Sequence, residues 1–200
     1  PQPYQVQLID ECINTKIQKT VIFTKTDEWK NYFKIMTIKQ YALVNSSKLI
    51  LIVTNLTSDV SKQVEIISRH TTFRIAGIDF NTKFDLKLKQ EAHLLILSVN
   101  TLLDWFSHSH LSLNELKLII FDDVNGAFHN DAYKTIMDNY LSSSMSEINM
   151  ISYGILNIEL NTTHSHLCQQ IEYLKSIFKF DYIETGTDLI GTFNLFNGIE

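Results

Sequence analysis

Six short apolar runs, spaced by helical patterns, constrain this chain more than any other feature of it. They are Thr20–Thr24, Lys48–Thr54, Thr72–Ala76, His93–Ser98, Leu116–Phe121 and Ile148–Tyr153. Most lack strict in-and-out alternation, which is how parallel strands covered on both faces read. Between them, Trp29, Tyr32, Phe33 and Met36 fall at helical spacing. So do Val60, Val64 and Ile67, then Ala132, Ile136 and Tyr140, and finally Leu167, Ile171, Leu174 and Phe178. Ser112-Leu113-Asn114-Glu115 has the order of a capping box opening a short turn. Strands alternating with helices predict an α/β fold, a parallel sheet flanked by helices. At 200 residues and 44% hydrophobic, the chain is long and apolar enough for such a core.

The remaining bulk properties exclude whole classes. A net charge of −5 argues against a strongly basic nucleic-acid platform. Cys12 and Cys168 are the only cysteines, so no disulfide framework is expected. No apolar run approaches the length of a membrane span and no signal peptide opens the chain, which predicts a cytoplasmic protein without membrane contact. Pro1 and Glu200 read as arbitrary ends, so the chain is expected to be a fragment.

Two positions carry candidate chemistry. After the strand Val21-Ile22-Phe23 comes Asp27-Glu28-Trp29-Lys30-Asn31, where a phosphate-binding loop belongs. Such a loop needs glycines, so that backbone N–H groups can close on phosphate, then lysine and a magnesium-holding hydroxyl. Here Lys30 is present, Asp27 and Trp29 stand at the glycine places, and Asn31 replaces the hydroxyl. The second position is Asp122-Asp123 at the end of the strand Leu116–Phe121, where ATPases of this type place Asp-Glu for magnesium and water. Asp123 is one methylene shorter than glutamate, which withdraws its carboxylate by roughly 1.5 Å. Taken alone, these residues read better as an ordinary strand–turn–helix and as two acids at a strand end in a solvated loop. The pairs His108/His110 and His164/His166 lack cysteine partners at zinc spacing and read as turn histidines. No nucleophile-elbow sequence is present.

In order along the chain, several segments resemble the first RecA-like lobe of the helicase region of the Dicer family of ribonuclease III enzymes. Tyr4-Gln5-Val6-Gln7-Leu8 resembles the opening of that lobe, whose glutamine reads adenine. Thr101-Leu102-Leu103-Asp104 and Leu111–Leu116 resemble its approach to the Asp-Glu strand. Ala127, His129, Tyr133, Ile136 and Met137 echo the stretch beyond it. Gln170–Lys175 with Glu184–Leu189 resembles the passage into an inserted helical domain. The departures also form a pattern: Asp27–Asn31 stands for Gly-x-Gly-Lys-Thr, Asp122-Asp123-Val124-Asn125 for Asp-Glu-Cys-His, and Ser152–Leu156 for the Thr-Ala-Ser element. Joint loss of this kind is similar to the insect microRNA-branch members, which cut hairpin precursors without ATP.

The resemblance implies a degenerate lobe over residues 1–160 and a helix with connecting segment over 161–200. It implies no catalytic residue in this region and a vestigial nucleotide site at Gln5, Lys30, Asp122 and Asp123. ATP is not expected as a cofactor, and Mg²⁺ is implied only for the parent's ribonuclease domains. The implied partners are double-stranded RNA in the form of microRNA precursor hairpins, a second helicase lobe and a helical insertion of the same chain, and a double-stranded-RNA-binding protein. The implied role is an RNA-facing scaffold in RNA interference. Lys62 and Arg69 are its candidate phosphate contacts. Two rivals stand beside it: an active ATP-dependent double-stranded RNA translocase, and a packing module that touches no RNA.

Overall fold

The computed structural model describes residues 19–24, 26–43, 48–79, 85–142, 149–155, 164–180 and 182–185. Among the described residues, seven strands form one sheet: β1 (Lys19–Thr24), β2 (Leu49–Thr54), β3 (Ile75–Ile78), β4 (Leu94–Ser98), β5 (Leu116–Phe121), β6 (Asn149–Ile155) and β7 (Tyr182–Thr185). Their order is β3-β4-β2-β5-β6-β1-β7, and the pairings are parallel. The helices are α1 (Asp27–Leu43), α2 (Thr57–Ser68), α3 (Leu86–Glu91), α4 (Val99–Ser107), α5 (Ala132–Ser142) and α6 (His164–Phe178).

Apolar residues run continuously along the strands because both faces are covered. In β2, Leu49, Leu51 and Val53 enter one core, which is filled by Leu102 and Trp105 of α4, Tyr133 and Ile136 of α5, and Leu174 and Phe178 of α6. The alternate residues Ile50 and Ile52 enter the other, with Phe33 and Ile38 of α1 and Val60 and Ile67 of α2. Phe121, Tyr133 and Phe178 pack edge to face or tilted, with centroids 5.2 to 5.9 Å apart. Such aromatic clusters add roughly 0.5–1.5 kcal/mol per pair beyond area burial.

The six sequence-derived strands all form, with ends moved by at most three residues where they are described. Ser112 caps the 3-10 turn Leu113–Glu115, and the Glu115 carboxylate accepts the Ser112 N–H at 2.8 Å, completing the capping box. Strands β1 and β5 flank β6 in the middle of the sheet. Two expectations need correction. The buried stripe of α1 is Lys30, Phe33, Lys34, Thr37, Ile38 and Tyr41, so the sequence-derived face is rotated by about one residue and Trp29 is 40% exposed. Strand β7 was not anticipated. It pairs with β1, while Ile171, Leu174, Ile177 and Phe178 of α6 are buried in the core. The sheet and its cover therefore run on beyond residue 160.

Candidate functional site

At the carboxyl ends of β1, β2 and β5 lies a polar cleft of about 300 Å³, lined among others by Asp27, Lys30, Asp59, Gln63, Asp122 and Asp123. Open parallel sheets place ligand sites at this edge because helix N-termini and loop side chains converge there. Local sequence explains the convergence. Strand β1 ends at Thr24 and α1 begins at Asp27, leaving a two-residue connection. The Thr26 hydroxyl accepts the Trp29 N–H at 3.4 Å, and Asp27 and Glu28 put negative charge on the first turn, where the helix dipole favours it. Helix thus occupies residues 27–30, the stretch a phosphate-wrapping loop would need.

Asp122 is the centre of the site. It is buried at the end of β5, with its N–H bonded to the Val53 carbonyl at 2.9 Å. Lys34, one helical turn beyond Lys30 and 0% exposed, places its ammonium directly on Asp122 Oδ1. The same Nζ donates to Gln63 Oε1 at 2.6 Å and to Asn31 Oδ1 at 2.9 Å, so all three of its protons are used. Gln63 closes the ring by donating from Nε2 to Asp122 Oδ2 at 3.0 Å. Lys30 stands 3.9 Å from that second oxygen and 3.0 Å from Asp27 Oδ1. Both oxygens of the one carboxylate expected to hold a cation are therefore engaged by the protein itself.

Electrostatics follow from this packing. Burial pushes the Lys34 ammonium below the usual lysine range, and contact with Asp122 opposes that. For Lys30, burial acts downward too, yet Asp122 and Asp27 outweigh it and hold the ammonium above the usual range. The Asp27 carboxyl is held low, chiefly by the hydrogen bond from Lys30. Asp123 is pushed up by burial, against the pull of Lys30. Its carboxylate caps the 3-10 turn Val124–Phe128 by accepting the Asn125 N–H at 3.0 Å, and its carbonyl accepts the Tyr133 hydroxyl at 3.0 Å. Asp123 is built in as a cap. Gly126 in that turn is required by close approach: a Cβ there would stand 2.6 Å from Asn55 Cγ and 2.9 Å from Tyr133 Oη.

Of the sequence-derived site residues, Lys30, Asp122 and Asp123 come together at the cleft, and Gln5 lies outside the described residues. Lys62 lines the cleft, whereas Arg69 caps the far end of α2, about 10 Å along the axis, beside Glu65. The structure does not gather them into one contact patch. Sequence reading missed Lys34 and Gln63, since a lysine and a glutamine inside a helical pattern carry no burial signal. The rings of His108 and His110 stack at 5.7 Å, and His108 Nδ1 is 3.2 Å from Asp104 Oδ1. Among the described residues, no three His, Cys, Asp or Glu side chains are grouped to hold a metal. Among the described residues, no helix is long and apolar enough to cross a membrane.

No protein-family model matches the chain. It is 24% identical over 207 residues to endoribonuclease dcr-1 of Caenorhabditis elegans, an alignment covering 95% of this chain and 11% of that one. It is 25% identical over 154 residues to endoribonuclease Dicer homolog 2 of Arabidopsis thaliana, covering 72% and 11% respectively. Against endoribonuclease Dicer of Gallus gallus the identity is 22% over 206 residues, covering 95% and 10%. The chain thus spans about a tenth of the length of these curated relatives. In fold it is similar to the Hef helicase domain of Pyrococcus furiosus, with a TM-score of 0.69 at 18% identity, over 93% of this chain and 38% of that one. The chain is thus similar, at low identity, to one stretch of several Dicer endoribonucleases, and it shares the parallel α/β fold of the Hef helicase domain.

Proposed function

We propose that this chain is a helicase-type lobe that has lost nucleotide-driven chemistry and serves as an RNA-facing scaffold in a Dicer-related endoribonuclease that processes microRNA precursor hairpins. The observation that carries the reading is the Lys34 ammonium seated on Asp122. A magnesium–triphosphate site needs a carboxylate open to the metal and backbone donors open to phosphate. Here Asp122 is closed by Lys34 and Gln63, Asn31 turns its oxygen to Lys34, and the Asp27 carboxylate faces the space a phosphate would enter. The residues present do not fit the nucleotide and its metal. Lys30 by itself is a point charge without the preorganised loop donors.

On this reading the parent cuts hairpins with ribonuclease III domains outside these residues, and the lobe contributes shape and contacts rather than turnover. The test is cleavage of a precursor hairpin by the full-length parent with and without ATP, alongside Lys30→Ala and Asp122→Ala. Equal cleavage by folded enzyme in every arm is expected. ATP-stimulated cleavage abolished by Lys30→Ala would establish the translocase instead.

A further inference from the structure

At the opposite edge of the sheet, where β2, β3, β4 and β5 begin, two hollows of about 740 and 460 Å³ adjoin at Ala42 and Phe73. Lys39 and Arg69 line the first, and Lys48, Arg74 and Lys117 the second: five of the chain's 17 lysines and arginines. Among the described residues no carboxylate lines either hollow. Glu65 reaches the rim through Arg69, and Glu91 contributes only its backbone carbonyl, to Arg74. In a chain of net charge −5, this is a strong local reversal of sign.

Strand register sets the spacing. Arg74 directly precedes β3, His93 precedes β4 and Lys48 precedes β2. Lys117 belongs to β5 at a bulge: Leu49 pairs Leu116 and Ile50 pairs Leu118, leaving Lys117 as the extra residue. A bulge re-aims the side chain it carries. Four neighbouring strand starts at ~4.8 Å each form a row about 14 Å long. Between the basic banks lies half-buried Phe73, whose ring meets His93 edge to face at 6.2 Å.

We propose that this trough binds an extended single-stranded polynucleotide, RNA first, with its phosphates along the Lys48–Arg74–Lys117 row and its bases against Phe73 and His93. A cationic groove with an aromatic floor is how single strands are held without sequence preference. A duplex is a stiff convex rod and does not follow a recess walled by the ends of α1 and α2. An acidic peptide would satisfy the charge but leave the aromatic floor without a role. The site is separate from the Asp122 cleft and does not depend on how that cleft is read.

The experiment is fluorescence anisotropy of a labelled 12-nucleotide single-stranded RNA with this chain from 50 to 300 mM KCl. Three or four phosphate contacts predict a log–log salt slope of about 2 to 3. Lys48→Glu with Arg74→Glu should weaken binding at least tenfold at 100 mM KCl, and Lys62→Glu in the cleft should leave it within twofold. Ultraviolet crosslinking of 4-thiouridine RNA to the unaltered chain, mapped by mass spectrometry, is independent of variant folding and should mark Phe73 or His93. Absent binding, an unaffected charge-reversal variant, crosslinks confined to the Asp122 cleft, or equal affinity for a 12-residue polyglutamate would each overturn the proposal. The last outcome would assign the trough to an acidic protein segment.

Discussion

The two edges of the sheet handle charge in opposite ways. At the carboxyl edge, Asp27, Asp59, Asp122 and Asp123 face Lys30, Lys34 and Lys62, and the central charges neutralise one another out of water. At the amino edge, basic residues line two open hollows that no carboxylate lines among the described residues, though Arg69 pairs with Glu65 at the rim and Arg74 donates to the Glu91 carbonyl. The first arrangement is a closed network, whose removal disturbs folding. The second is an open one, within reach of the proposed polynucleotide. Burial separates the two: Lys34 is wholly enclosed with its partners, whereas Lys48 is exposed.

The sharpest break of this comparison is Lys34→Ala. Leaving Asp122 buried without its ammonium should cost about 3–5 kcal/mol of stability, whereas Lys48→Ala at the other edge should stay within about 0.5 kcal/mol. Urea unfolding of both variants decides it, and similar midpoints would erase the distinction. Next comes Lys34→Met with Asp122→Leu, which removes both charges together. It should recover much of the single-variant loss, short by about 1–3 kcal/mol for the Gln63 amide left without partners. A double variant no better than Lys34→Ala would mean that shape rather than charge holds the cleft.

Gly126→Ala should cost about 1–3 kcal/mol, because the added methyl meets Asn55 and Tyr133. Thermal unfolding checks it, and a neutral result would show that the Asn55 side chain yields freely. The smallest effect is Asp27→Asn, which removes an exposed partner of Lys30. Its folded carboxyl lies below the ordinary value of 3.8, so its stabilisation is present above that pH and is lost as pH falls through the folded value. The wild-type advantage over Asp27→Asn should be about 0.3–0.5 kcal/mol at neutral pH and disappear on acidification below the ordinary carboxylate range. An advantage that persists in strong acid would point away from the ion pair.

Much of the fold was readable because burial on both faces leaves continuous apolar strands, and the pairs Lys30 and Asp122 followed from order along the chain. The cleft's interior was not readable. Hydropathy assigns Trp29 to the core and Lys34 to solvent; the structure reverses both, because a partner 88 residues away turns the helix face. Strand β7 was missed for a related reason. Tyr182–Thr185 has little apolar signal of its own and takes strand form by pairing with β1. Asp123 read as a vestigial nucleotide-site residue because position alone was visible, while its bonds to Asn125 and Tyr133 depend on the turn that follows.

The counter-ion that Asp122 carries is part of the polypeptide. A lobe held by a dissolved cation gains stability with that cation's concentration and loses it to a chelator, through mass action. Lys34 cannot be diluted, exchanged or sequestered, so the central charge of this lobe is compensated to the same degree in every ionic setting the molecule meets.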